Sequence, residues 1–127
     1  MAMLTEQCLQ SLAAFAESIQ NTETWQKWSR AQQALENDAA LMRLFERYEE
    51  LTIAMRDAKA RGGGLSGEQM VELAQVREKI INHPLYTRRE EAQEQLTELL
   101  QGMNSVLTEH LGLDFAAMAA PRSSCCG

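Results

Sequence analysis

The sequence predicts an all-α protein, an elongated helical bundle of about five helices built on a long antiparallel helical hairpin. Two observations argue for long paired helices. Leu41, Leu44, Tyr48, Leu51, Met55 and Ala58 form an a/d heptad seam, the spacing that keeps one stripe of a helix facing a partner helix. Ala92, Leu96, Leu99, Met103, Val106 and His110 form a second such seam near the C-terminus. A third observation argues against a sheet. No run alternates β-branched and polar residues as a half-buried strand does, and aromatic residues make up only 6% of the chain.

The elements follow in order. Leu4, Cys8, Leu12, Phe15 and Ile19 mark the apolar stripe of a first helix over about residues 3–20, with Cys8 as a buried, inert thiol. Asn21 to Thr24 breaks that helix, and Thr22 or Asn21 is a natural N-cap for the next. Trp25, Trp28 and Leu35 then lie on one face of a second helix over about 23–36. Two tryptophans three apart fit either core packing at a helix corner or an anchor for a partner protein.

Asp38 caps the third helix, a rod of about 33 Å that ends at Gly62-Gly63-Gly64. Phe45 widens its stripe. The glycine run lacks the strand before it and the Lys-Ser/Thr after it that a phosphate-binding loop requires, so it is a helical-hairpin connection. Ser66 with Gln69 is a capping box. It starts a helix over about 67–82 that returns antiparallel to the rod, with Met70, Leu73, Val76 and Ile80 turned inward. Asn82-His83-Pro84 interrupts it, with His83 as a junction residue and Pro84 suited to the first turn of the last helix. That helix runs from about Leu85 to Leu111. Gly102 inside it costs about 1 kcal/mol against alanine and suggests the close approach of a neighbour. The two seams together predict that the rods zip along each other. Beyond residue 112 the periodicity decays, so residues 1–112 form the domain and 113–127 a flexible C-terminal tail carrying a Cys-Cys pair.

Bulk properties narrow the function. A chain of 127 residues is one domain. Twelve Lys and Arg against eighteen Asp and Glu leave a net charge of −6, which argues against direct nucleic-acid binding. Arg77, Lys79, Arg88 and Arg89 make a small basic patch, but Glu90-Glu91 follows at once and the patch is a solvated face. No apolar run approaches membrane-spanning length, and the N-terminus lacks a signal peptide, so the expected location is cytoplasmic. No nucleophile–base pair or carboxylate pair is legible, so no enzyme activity is expected.

Cys125 and Cys126 stand out. Adjacent thiols cannot complete a metal cage alone, and Cys8 adds only a third. They are an unremarkable tail, part of a metal or cluster site shared with other chains, or a site of reversible oxidation or lipid attachment.

Taken together, Thr22-Glu23-Thr24-Trp25-Gln26-Lys27-Trp28, Ala34 to Asp38, Leu44 to Leu51 and Ile80-Ile81-Asn82-His83-Pro84-Leu85-Tyr86 resemble the YlbF/YmcA family of small all-helical bacterial proteins. The resemblance covers about residues 4–111. It implies an all-α fold on a long hairpin, self-association and a regulatory, non-enzymatic role. It also implies a complex with a YaaT-like protein and other YlbF/YmcA-like chains. Such a complex supports competence, sporulation and biofilm formation and assists RNase Y in mRNA maturation. Some members contribute C-terminal cysteines to a 4Fe-4S cluster shared with partner chains. Cys125 and Cys126 lie where that motif would be, although this tail is short and carries only the adjacent pair. The partner-binding candidates are Trp25, Trp28 and Tyr48. The alternative is a helical oligomer that binds RNA directly or has a purely structural role.

Overall fold

A computed structural model describes residues 3–122. The order is α1 (Glu6–Gln20), α2 (Glu23–Glu36), α3 (Ala39–Ala60), α4 (Gly67–Ile81), α5 (Pro84–Leu111) and α6 (Phe115–Ala119), with no strand among the described residues. The starts are set by local chemistry. Thr5, Thr22, Asp38 and Ser66 each have extended backbone, and each side chain accepts a hydrogen bond from the backbone N–H three residues on. That satisfies one of the donors a helix start leaves without an intrahelical partner. The Ser66–Gln69 capping box is complete. Gly62 and Gly112, at φ +81° and +73°, take the left-handed turns that end α3 and α5.

The corner before α5 joins two helix starts. Pro84 is the first residue of α5, and His83 is its N-cap. The His83 Nδ1 accepts from the Leu85 N–H at 3.1 Å. Its Nε2 lies 3.9 Å from one Asp38 carboxylate oxygen. The other oxygen accepts from the Leu41 N–H at 2.8 Å and caps α3. The capping side chains of α3 and α5 therefore face each other at this corner.

The bundle is built on an antiparallel hairpin, α3 with α4, as the glycine turn predicts. Arg47 meets Glu72 near the middle of both helices, while Leu41 at the start of α3 packs with Val76 and Ile80 at the end of α4. The pairing of the long rods differs from expectation. α3 and α5 do not zip together; α5 lies along α2 instead. The reason lies in side-chain size and in what is already covered. α4 occupies the α3 stripe, and Ala31 and Ala92, both buried and small, let α2 and α5 approach closely. Leu35 in the last turn of α2 shares its cluster with Leu85 in the first turn of α5, so this pair is antiparallel too. α3 and α5 meet through side chains at the corner, where the Phe45 and Tyr86 rings lie 6.2 Å apart.

Two further expectations are corrected. Cys8 is exposed rather than buried, and α1 has no buried residue. Its helical backbone approaches only α2, and Leu9, Leu12 and Phe15 on its stripe stay exposed. The segment after Gly112, expected as tail, contains α6, which packs on α5.

Two substitutions test this arrangement. Leu41 has no exposed surface, so Leu41→Ala should cost about 2–5 kcal/mol in a denaturant titration. A Cβ on Gly102 would meet nothing within 4 Å, so no neighbour within the chain approaches it. Gly102→Ala should stabilise the helix by about 1 kcal/mol.

Candidate interaction surfaces

The uncovered stripe of α1 is continued by other helices. Leu9, Leu12 and Phe15 on α1 are 51%, 47% and 41% exposed. Leu100 and Val106 on α5 and Phe115 and Met118 on α6 are exposed as well. Two open apolar grooves run between these helices. One, of about 460 Å³, has Phe15 on one side and Leu99, Gly102, Met103 and Val106 on the other. The second, of about 200 Å³, adds Ile19, Leu100 and Phe115. A patch of neighbouring large apolar side chains is the usual mark of a protein-docking surface.

A short polar clasp holds α6 at the edge of these grooves. The Asn104 side chain donates to an Asp114 carboxylate oxygen at 3.2 Å and accepts from the Ala116 N–H at 3.0 Å. The same Asp114 oxygen accepts from the Ala117 N–H at 3.0 Å. The Ala117 N–H first, then the Asn104 amide, hold the Asp114 carboxyl below the usual carboxylate range. Sequence reasoning missed this clasp, and Asp114 three residues before Ala117 is the cap signal that could have found it.

Trp25 and Trp28 sit in the first two turns of α2, half-buried. Their rings lie 5.3 Å apart at 48°, a tilted stack set by their spacing on the helix. The Trp28 Nε1 is buried without a hydrogen-bond partner in the described chain. Tyr48 is elsewhere. It packs against the Leu35–Leu41 cluster at the far end of α2 and lines a cleft of about 270 Å³ with Phe45, Arg77, Ile80, Ile81 and Tyr86. The Arg89 guanidinium lies over the Tyr86 ring at 5.6 Å. The structure thus pairs the two tryptophans and assigns Tyr48 to a separate surface.

The strongest polar contact is structural. Arg47 grips Glu72 with two hydrogen bonds of 2.7 Å each, from Nε and Nη2, and reaches Glu50 at 2.9 Å through Nη1. This fork pins α3 to α4. It raises the Arg47 pKa above its ordinary value and lowers that of Glu72. Both side chains are about two-fifths exposed, so water and salt screen the pair.

Among the described residues no three His, Cys, Asp or Glu side chains gather as a metal site. Cys125 and Cys126 lie outside the described residues. The chain holds three cysteines in all, whereas a 4Fe-4S cluster takes about four thiolates. These donors do not fit such a cluster within one chain; at least one ligand must come from elsewhere. No helix among the described residues is long and apolar enough to cross a membrane.

The Arg47–Glu72 fork makes stability depend on acid in a defined direction. The folded carboxyl titrates below its unfolded value, so the pair contributes fully above the ordinary carboxylate range. That contribution disappears as pH falls through the folded value. Glu72→Gln should therefore destabilise the protein at neutral pH. Denaturant titrations should show the deficit closing as the solution is acidified.

Three comparisons bear on identity. No curated protein matches the chain. A solved structure described as a protein of unknown function (DUF964) from Bacillus stearothermophilus is similar with a TM-score of 0.52 and 16% identity, over 82% of this chain and 92% of that one. At such identity the likeness shows the fold alone. The profile of the family described as control of competence regulator ComK, YlbF/YmcA, matches residues 8–112. That match runs from α1 through the end of α5, and the chain accordingly belongs to the YlbF/YmcA family, a regulatory family by its description.

Proposed function

We propose that this protein is a cytoplasmic regulatory adaptor that docks other proteins on the apolar face shared by α1, α5 and α6 and performs no reaction of its own. The observation that carries this reading is the row Leu9, Leu12 and Phe15, exposed on a helix with no fully buried residue. A soluble chain that keeps such a row needs a partner for it, because apolar area left in water forgoes roughly 25 cal/mol per Å². The open groove at Gly102 offers a place where an outside helix can approach. Family membership supports the regulatory role.

The partners proposed are a second copy of the chain and YaaT-like or YlbF/YmcA-like proteins. The process proposed is RNase Y-dependent mRNA processing with its effects on competence, sporulation and biofilm formation. Trp25 and Trp28 contribute from the α1–α2 junction. The 4Fe-4S cluster proposed at Cys125 and Cys126 is completed by partner chains. Direct RNA binding is disfavoured by the net charge of −6.

Leu12→Glu with Phe15→Glu should keep the helical circular dichroism of the parent, since neither side chain is buried. Co-purification and sedimentation should show affinity for self or for a YaaT-like protein falling by about tenfold or more, the scale of one hot-spot side chain. Unchanged association in both assays would overturn the reading. For the cluster, anaerobic co-expression with such a partner should give an iron-containing, visibly absorbing complex that Cys125→Ser with Cys126→Ser abolishes. A colourless, iron-free complex removes the cluster and leaves the adaptor.

A further inference from the structure

The apolar face between α1 and α5 is not equally open along its length, and α6 stands where it narrows. Its two grooves share Phe15, Met103 and Leu107, so they form one trough. Beside Leu99, Gly102 and Val106 the trough has about 460 Å³. Beside Leu100 and Asn104, where Phe115 and Ala116 of α6 border it, it has about 200 Å³. Phe115 is an apolar side chain laid against this trough from a helix, which is also how a docked partner would present one.

The hold on α6 is slight. The helix has five residues and none of them is buried, whereas isolated helices shorter than about 12–15 residues are marginal in water. It therefore persists through its attachments. Asp114 accepts from the Ala117 N–H, and Asn104 of α5 bonds both Asp114 and the Ala116 N–H. All three bonds lie at the surface, where water competes for every group. Phe115 is 45% exposed and Met118 71%, so side-chain packing adds little. Segments with few buried contacts and exposed hydrogen bonds are the ones that open at the smallest cost in free energy.

We propose that α6 is a displaceable flap, which occupies one side of the α1–α5 trough in the free chain and is pushed off by a docking helix. The inference rests on the docking role proposed for that face and adds its regulation. Flap and incoming helix compete for Leu100, Met103 and Leu107. The apparent affinity of the face is then its intrinsic affinity scaled by the fraction of chains in which α6 is lifted. The clasp between Asp114 and Asn104 sets that fraction.

The test uses the full chain with Asp114→Ala, which removes the cap of α6 and its bond to Asn104. Its control is Asp114→Asn, whose carbonyl oxygen can take both roles. Asp114 is exposed, so both variants keep the fold of α1–α5. In Asp114→Ala the NMR shifts of Ala116 to Ala119 should lose their helical values while those of α1–α5 stay. The probe of the trough is the dye 8-anilinonaphthalene-1-sulfonate, which fluoresces on exposed apolar surface. Its fluorescence should rise about twofold or more in Asp114→Ala. It should stay at the parent level in Asp114→Asn, and the rise should vanish when Leu12→Glu and Phe15→Glu are added. Self-association by sedimentation should strengthen by about threefold or more in Asp114→Ala. A helical α6 in Asp114→Ala, or unchanged dye fluorescence once α6 has unfolded, would overturn the flap. Weaker self-association would overturn it too and make α6 a fixed wall of the docking face. Were no variant to self-associate, docking of a second copy would fail while the dye and the shifts still decided the flap, so the two failures are distinguishable.

Discussion

Four side chains, Leu35, Leu41, Val76 and Ile80, form the cluster on which the architecture depends. They come from α2, α3 and α4, and Leu85 and Tyr86 bring the start of α5 against them. The constraint is one of supply. Only eight hydrophobic residues of the described chain are buried, so there is no second, larger core to hold the helices if this one is lost. The caps at Asp38 and His83 converge on the same corner. Helix starts and apolar packing thus meet at one corner of the bundle.

A core this thin has a consequence for function. Helices of 22 and 28 residues, α3 and α5, present far more apolar stripe than their short partners can cover. The remainder is on the surface, in the α1–α5–α6 grooves and in the aromatic cleft. These recesses are open and largely apolar. Surfaces of that kind take up other polypeptides, which is the mode of action proposed for this chain.

Polar interactions in this molecule mainly set geometry. The Arg47–Glu72 fork fixes the register of the hairpin, and Asn104 with Asp114 holds α6 against α5. Both involve partly or fully exposed groups, so their value is directional more than energetic.

The sequence by itself determined what is local. Caps at Thr22, Asp38 and Ser66, the proline start at Pro84 and the glycine turn after Ala60 all act within a few residues, and each appears in the structure where the sequence places it. That Trp25 and Trp28 share one helix face was legible for the same reason. Tertiary structure alone decided which stripes meet. A heptad seam states that a helix has an apolar face and is silent about what covers it, so the pairing of α5 with α2 rather than α3 could not be read. Nor could the exposure of Cys8 and Phe15, because covered and uncovered faces share one periodicity. The fork between residues 47 and 72 and the cleft around Tyr48 join segments distant in sequence. Their geometry exists only once the helices have chosen their neighbours.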